Sequence, residues 1–234
     1  PRSTPPPQLV EVPKLAAPSP RTRVKKFILI SFPHIEENTT PDHPAKGALN
    51  VEPQSIHGRT RLEAEKYLFH ACQGRPMAPV VLRSGVVYGR GVKLIDAARW
   101  LMRRRLMAVW SKPTWLHLLA LPDLLRIIEI AVEKENLRGI YNLCDDRPIL
   151  LQEFLDRLAA HWHYRRPVRL PDSAFHAAAF LFELFATVFR TPSPLNHDIV
   201  RMAMTSVVAD TSRMKREIVP GLIYPSLDQG LALL

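Results

Sequence analysis

Blocks of apolar residues separated by polar, proline-containing loops predict strands and helices in turn. Residues 24–31 (VKKFILIS) form a continuous apolar run behind a basic lead, which is typical of a strand buried on both faces. Residues 80–89 (VVLRSGVVYG) predict a second buried strand that ends in a glycine-bearing exit. The remaining predictions are helices over residues 59–73, 92–106 and 123–135 and a third strand over residues 137–146.

Strands that alternate with helices of ten or more residues predict an α/β fold with a parallel sheet and right-handed crossovers. We assign this sheet domain to residues 24–148. From residue 149 onward the pattern is mostly helical, apart from a short extended piece at residues 165–171. Residues 149–234 are therefore expected to form a smaller C-terminal lobe of the substrate-binding type beside the sheet.

The first 23 residues are rich in proline and poor in core-forming side chains. This composition predicts an extended arm or linker. Leu9, Val10, Val12 and Leu15 are spaced between the prolines. Such a segment cannot bury its own core, but it becomes ordered when it lies along a partner.

The composition is that of an ordinary globular protein apart from its charge. The 234 residues are 47% hydrophobic and 23% charged, and the formal net charge is +10. A positive net charge favours acidic partners such as nucleic acid, anionic lipid or an acidic protein surface. The alternative is that these charges are only solvated on the surface and bind no partner. The run Arg103–Arg105 lacks the interleaved glycines and aromatics of RNA-binding segments.

The sequence predicts neither a disulfide nor a metal site. Cys72 and Cys144 are far apart and have no CxxC spacing, so we expect buried free thiols in a reducing compartment such as cytoplasm, an organelle matrix or stroma. His161 and His163 flank Trp162, but no cysteine or carboxylate stands beside them at ligand spacing.

The longest apolar run, residues 174–189, is too short to span a bilayer and is interrupted by His176 and Glu183. We expect it to be a packing helix, and a helix lying in a membrane interface is the alternative. No transmembrane segment is expected.

The order of several segments resembles that of the extended short-chain dehydrogenase/reductase family, the NAD(P)-dependent epimerases and dehydratases. The resemblance covers roughly residues 24–234, and its most specific segments are LRSGVVYGRG and PDLLRIIEIAVE. It implies a Rossmann-type parallel sheet followed by a smaller C-terminal substrate lobe. It also implies a catalytic site at the helix that opens with SIHGRTRLEAEKYL, residues 55–68.

The residues at that helix depart from the family pattern. The family uses a tyrosine followed four residues later by a lysine; here His57 and Arg61 occupy those positions. A nearby cation lowers the pKa of the phenol so that it acts as a base. Arginine keeps the charge but not the donor geometry of lysine, and imidazole has a shorter reach than phenol. The family's serine run reads Ser31, Phe32, Pro33 here, and the catalytic position falls near Pro33, which has no hydroxyl.

The cofactor motif of the family has no counterpart in this sequence. Dinucleotide binding needs a glycine-rich turn after the first strand, and the first glycine here is Gly47. The first half of the nucleotide-binding fold is therefore expected to be missing, because the sequence is a fragment, because a partner fills the space, or because the half was lost. No cofactor is expected for the chain as given. If NAD(P) does bind, the resemblance implies contacts from Ser31, Arg83, Ser84, Gly85 and Val86.

Three functions remain open from the sequence. The first is a catalytically degenerate member of the family that serves as a structural or accessory subunit among other protein subunits. The family has such a precedent in an accessory subunit of respiratory complex I, so attachment to a membrane complex stays open. The second is an active NAD(P)-dependent epimerase, dehydratase or reductase whose N-terminal half is absent. The third is a nucleic-acid-binding derivative, supported by charge alone.

Overall fold

The computed structural model describes residues 24–189, 191 and 196–234. The predicted arm, residues 1–23, lies outside the described residues. The strands are β1 (Lys26–Ser31), β2 (Ala78–Ser84), β3 (Val86–Tyr88), β4 (Ala108–Trp110), β5 (Trp115–Leu116), β6 (Leu118–Ala120), β7 (Gly139–Leu143), β8 (Ile149–Leu150) and β9 (Val168–Leu170). The α-helices are α1 (Ile56–Ala71), α2 (Lys93–Arg103), α3 (Leu121–Glu133), α4 (Leu151–His161), α5 (Asp172–Phe189), α6 (His197–Ala203), α7 (Ser212–Glu217) and α8 (Leu227–Gly230).

The central sheet is parallel, in the order β1-β2-β7, and helices cover both of its faces. Along β2, Val80 and Leu82 belong to a core cluster that includes Ile127 of α3, whereas Val81 packs with Leu68 of α1. Successive side chains of a strand point to opposite faces, so each face of β2 is buried under a different helix. This arrangement confirms the predicted α/β fold class with a parallel sheet.

The predicted strand over residues 80–89 is divided in the structure. Gly85 separates β2 from β3, and β3 leaves the central sheet to pair in parallel with β6. A Cβ atom at Gly85 would lie 2.3 Å from the carbonyl oxygen of His117 and 2.9 Å from Sγ of Cys144. The predicted second buried strand is confirmed as β2, and its glycine-bearing exit contains the separate strand β3 because this close approach of two backbones moves the chain from one sheet to the next.

The C-terminal lobe is mostly helical, as predicted. It contains α4 to α8 and two short strands, with β4 pairing β9 in parallel and β5 pairing β8 antiparallel. Its core joins Phe154 and Leu158 of α4 to Trp110 and Tyr88 of the preceding region. Because β5–β8 and this core join residues on either side of position 149, the domain boundary stays a prediction.

The described residues also bear on the cysteines, membrane spans and metal sites that the sequence analysis considered. Cys72 and Cys144 are free and buried. None of the helices in the described part combines the length and apolar character needed to cross a bilayer. Within the same residues, no group of three histidine, cysteine or carboxylate side chains is placed to hold a metal ion.

We predict that Gly85→Ala destabilises the protein by at least about 2 kcal/mol, because the added methyl group overpacks a site closed by backbone. Gly221→Ala is the matched control, since a Cβ atom there meets nothing within 4 Å. Urea denaturation followed by circular dichroism measures both changes. Equal stability of the two variants would contradict the account of the β2–β3 break.

Candidate functional site

The residues predicted from the sequence converge at one edge of the central sheet. Ser31 is opposite Arg83 where the parallel strands β1 and β2 end. The phenyl ring of Phe32, the next residue, stacks on the imidazole of His57 with 4.9 Å between centroids and 11° between planes. The carboxyl ends of parallel strands are where ligands bind in open α/β sheets. The structure thus brings Ser31, His57 and the segment 83–86 together at that edge.

Helix α1 begins earlier than predicted because two N–H groups of its first turn are capped by side chains. The Oγ atom of Ser55 accepts a hydrogen bond from the N–H of Gly58 at 3.0 Å. The N–H of Ile56 donates to Oδ1 of Asp198 in α6 at 3.1 Å. These acceptors satisfy N–H groups that have no partner within the helix. His57 is therefore placed in the first turn of α1, beside the C-terminal lobe.

His57 is exposed, and within the described residues its side chain stacks on Phe32 and forms no hydrogen bond or ion pair. Phe32 also contacts the ring of His34, with centroids 5.6 Å apart. Burial lowers the pKa of His34 to about 4, partly offset by the nearby carboxylate of Glu37, and His57 lowers the pKa further. His34 is therefore a neutral imidazole at physiological pH.

Arg61 is half-buried and forms no hydrogen bond or ion pair in the part of the chain that the structure describes. His57 and Arg61 do not bond to each other there. The tyrosine–lysine pair of the family works because the cation is held close to the phenol and lowers its pKa. The two side chains at the positions that the resemblance assigns to this pair lie on one helix but do not show that interaction in this structure.

Ser31 and Pro33 are both buried at the end of β1. The Oγ atom of Ser31 has no hydrogen-bond partner among the described residues. Buried hydroxyl groups are nearly always hydrogen-bonded, so this atom is an unsatisfied polar group at the candidate edge. Pro33 opens a short 3-10 turn, Pro33–Ile35, and supplies no hydroxyl where the family has its serine.

Arg83 is completely buried and is held by two carboxylates. Its guanidinium donates from Nε and Nη2 to Glu65 of α1, the shortest contact being 2.7 Å, and from Nη1 to Glu36 at 2.6 Å. Nη2 also donates to the carbonyl of Ala48 at 2.9 Å. Every contact that the structure shows for Arg83 is internal. Its predicted role in cofactor binding stays a prediction.

Glu36 extends this network into the loop that follows. Its carboxylate accepts hydrogen bonds from the N–H groups of Gly47 at 2.7 Å and Ala48 at 2.9 Å. The network therefore joins strand β2, helix α1 and the loop across the candidate edge. Ion pairs of this kind tolerate burial because every charge has several charge-assisted hydrogen bonds.

The other predicted cofactor contacts are engaged within the fold. The hydroxyl of Ser84 donates to the carbonyl of Gly85 at 3.1 Å, and the N–H of Val86 donates to the carbonyl of His117 at 2.8 Å. Ser84 is buried and Val86 is half-buried. These contacts account for the position of the segment, and whether it also meets NAD(P) stays a prediction.

A second buried constellation, which the sequence analysis missed, lies beneath this edge. The Nε2 atom of His117 is 2.9 Å from the carbonyl oxygen of Asp145, and its Nδ1 atom accepts from the N–H of Ala209 at 3.1 Å. These partners fix a neutral imidazole protonated on Nε2. Burial lowers the pKa of His117 to about 4 and raises the pKa of Asp145 to about 8. No sequence spacing indicates this cluster, since its members come from three distant segments.

No family model and no curated protein matches the sequence, whereas solved structures match its fold. UDP-glucose 4-epimerase from Thermotoga maritima, solved with UDP-glucose, is 20% identical with a TM-score of 0.66; the match covers 90% of this chain and 62% of that one. The human epimerase family protein SDR39U1, solved with NADPH, is 18% identical with a TM-score of 0.66 and coverages of 93% and 67%.

A third match is UDP-glucuronic acid 4-epimerase from Bacillus cereus, solved with UDP-glucuronic acid and NAD, at 16% identity and a TM-score of 0.66. The match covers 61% of the length of that epimerase, so this chain spans about three fifths of such structures. The matches show that the chain has the Rossmann-type fold of the NAD-dependent epimerases and dehydratases. They confirm the fold that the resemblance implied.

Breaking the buried ion pair should be costly. We predict that Glu65→Gln lowers the free energy of unfolding by about 3–5 kcal/mol, because it leaves Arg83 buried with an incompletely compensated charge. The control is Glu135→Gln, which breaks the exposed pair with Lys25 and should cost less than about 1 kcal/mol. Urea denaturation of both variants tests this. A loss for Glu65→Gln no larger than for the control would refute a structural role for the pair.

The pKa of Asp145 predicts a dependence of stability on pH. The folded-state pKa of Asp145, about 8, lies above the ordinary value of an aspartate. Between about pH 4 and pH 8, the folded protein therefore keeps a proton on this carboxyl group that the unfolded chain has released. Asp145 therefore makes the free energy of unfolding fall as the pH rises through that window. Asp145→Asn should stabilise the protein relative to the parent more at about pH 8 than at about pH 5.

Asp42→Asn is the control for this titration, because Asp42 is exposed. Urea denaturation is measured for the parent and both variants at the two pH values. A difference between Asp145→Asn and the parent that does not change with pH would contradict the raised pKa.

Proposed function

We propose that this chain is a catalytically degenerate relative of the extended short-chain dehydrogenase/reductases and acts as a structural or accessory subunit of a larger assembly. The observation that carries the proposal is the environment of His57. At the position of the family's catalytic tyrosine, an exposed imidazole stacks on Phe32 and has no polar partner within the described residues.

The chemistry of the remaining positions supports the same proposal. Arg61 forms no ion pair or hydrogen bond in the described part of the chain, so it does not orient a base. Pro33 replaces the hydroxyl that would polarise a substrate oxygen, and Ser31 is buried in the strand. A general base must lie within hydrogen-bonding reach of its proton and needs a group that orients it. All three positions depart from that requirement.

The exposed surface supports a role in an assembly. Among the described residues β1 is an edge of the central sheet, and Ile30 on it is 42% exposed. A sheet edge with exposed apolar side chains pairs readily with another strand or is covered by a partner. We propose that other protein subunits, or further polypeptide, cover this edge, and that no NAD(P) is bound by the chain alone.

The second candidate is an active NAD(P)-dependent epimerase, dehydratase or reductase. It is favoured by the solved structures of similar fold, which were determined with NADPH or with NAD and a nucleotide sugar, and by the part of their length that this chain spans. In that case His57 is the general base, and Ser31 with residues 83–86 lies at the cofactor. A nucleic-acid-binding role has only the net charge in its favour.

We predict that His57→Tyr combined with Arg61→Lys creates no oxidoreductase activity, because the hydroxyl missing at Pro33 is not restored. Hydride transfer is assayed with NAD⁺ and NADP⁺ in the presence of UDP-glucose or UDP-glucuronic acid.

Calorimetric titration of the chain with NADH and NADPH should show no one-to-one complex of micromolar affinity. Because β1 is a sheet edge with an exposed apolar side chain, light scattering should find the isolated chain self-associated.

The rival candidate gives the opposite results. If the parent protein turns over substrate, and His57→Ala alone lowers that turnover by about 100-fold or more, the imidazole is a working base and the degenerate-subunit proposal fails. Phe32→Ala is the matched variant, since it removes the stacked ring and leaves the imidazole in place.

A further inference from the structure

Two basic runs that are far apart in the sequence meet at one end of the small sheet formed by β4 and β9. These strands are parallel, with Ala108 opposite Val168, and the N–H of Val168 donates to the carbonyl of Met107 at 3.0 Å. The residues that precede the two strands are therefore neighbours. They include five exposed arginines, which we call the basic patch: Arg103, Arg104, Arg105, Arg165 and Arg166.

The charge of the basic patch is not compensated inside the described part of the protein. None of its five side chains forms a hydrogen bond or ion pair there, and residues 103–107 and 163–168 include no aspartate or glutamate. By contrast, Arg157, Arg169 and Arg213 are each paired with a carboxylate. A concentration of unpaired arginines produces a local positive potential that attracts anions.

Large apolar side chains accompany these charges. Trp100, Leu106 and Val168 are 52%, 62% and 56% exposed, and the guanidinium of Arg104 lies over the indole of Trp100 at 5.0 Å. Tryptophan, aliphatic side chains and arginine are the residue types found together at membrane interfaces.

The other end of β9 leads directly into helix α5. A three-residue strand spans about 10 Å, so the helix starts close to the basic patch. Phe175, in its first turn, packs edge-on against Trp110 of β4 with 5.5 Å between centroids and thereby fixes the start of the helix to the same small sheet. Six large apolar side chains follow at 44–62% exposure: Phe180, Leu181, Phe182, Leu184, Phe185 and Phe189.

Helix α5 has little charge to keep it out of an apolar layer. After its first residue, Asp172, its only acidic side chain is Glu183. Both oxygens of that carboxylate are occupied, one by the N–H of His197 at 2.8 Å and the other by Nδ1 of the same residue at 2.9 Å. The helix is also too short and too interrupted to span a bilayer.

We propose that this lobe binds the surface of an anionic lipid bilayer. The basic patch contacts the charged headgroups, and the phenylalanine and leucine side chains of α5 enter the interfacial layer with the helix lying in the plane of the membrane. This binding goes beyond the proposed function and does not depend on it.

The apolar helix favours lipid over the other acidic partners. A nucleic acid would use the arginines, but it binds through stacked aromatic rings in a basic groove and leaves six exposed apolar side chains of α5 without a role. A second copy of the chain would bring together two surfaces of the same positive charge, which repel each other.

The test is co-flotation of the full chain with vesicles of phosphatidylcholine alone and with vesicles that also contain about 30% phosphatidylserine. We expect at least about 100-fold tighter binding to the anionic vesicles, weakened in about 0.5 M salt. A patch variant changes the five arginines of the basic patch to glutamine and should bind anionic vesicles at least about 100-fold more weakly.

Two further variants separate the contribution of the basic patch from that of the net charge and from that of helix α5. The control variant removes the same charge from exposed basic residues elsewhere and should lose less than about 10-fold. Its substitutions are Arg59→Gln, Lys66→Gln, Lys134→Gln, Arg138→Gln and Arg147→Gln. The helix variant, Leu181→Gln with Phe185→Gln, should bind anionic vesicles more weakly but keep the salt dependence of the parent. Circular dichroism establishes that each variant is folded.

Several results would overturn the proposal. One is no binding of the parent to anionic vesicles, and another is an equal loss for the patch and control variants. A third is patch-dependent binding of a single-stranded DNA oligonucleotide that is tighter than binding to anionic vesicles. A fourth is a dimer in light scattering that the helix variant abolishes while vesicles are not bound.

Discussion

The buried guanidinium of Arg83 is the interaction on which this arrangement of elements depends. It lies on the central strand of the sheet and is held by Glu65 from the helix and Glu36 from the loop after β1. A buried cation has no water to solvate it, so the helix and loop must keep these positions for the strand to remain in the core. The position of α1, and with it the placement of His57, follows from this requirement.

The structural scaffold and the reactive groups of the candidate site differ in how well they match the family's pattern. In the part of the fold that this chain spans, the scaffold is retained: the strands end at a common edge, the helix starts there with Ser55 as its N-cap, and the fold is shared with solved UDP-sugar 4-epimerases. At the positions that the sequence resemblance assigns to the reacting groups, the chain has a stacked imidazole, an arginine without a polar partner in the described residues and a proline. Packing constrains the first set, and only chemistry constrains the second, so the two can diverge independently.

The sequence predicted the elements that have a long periodic pattern. Helix α1 was recognisable by its helical spacing and strand β1 by its continuous apolar run. The expectation that β1 is buried on both faces was wrong, because among the described residues β1 is an edge strand and its Ile30 is 42% exposed. The three strands between Ala108 and Ala120 were not, because two or three residues carry no period and their pairing is set by distant partners. The contacts of Arg83 and the stack of Phe32 on His57 were also beyond local reasoning, since they join segments far apart in the sequence.

The parallel pairing of the sheet has a consequence for how the protein folds. Lys26 pairs with Ala78 and Val80 with Gly139, so each pair of strands encloses roughly 50–60 residues. The entropy lost in closing such long loops precedes any gain from the contacts, which makes folding slow compared with that of proteins built from local contacts. Helices such as α1 form their hydrogen bonds locally, whereas β2 cannot acquire both of its neighbours until the chain has been synthesised past residue 143. During that interval β1 and β2 have free edges, and a chaperone or an early partner would meet this protein with its central sheet still incomplete.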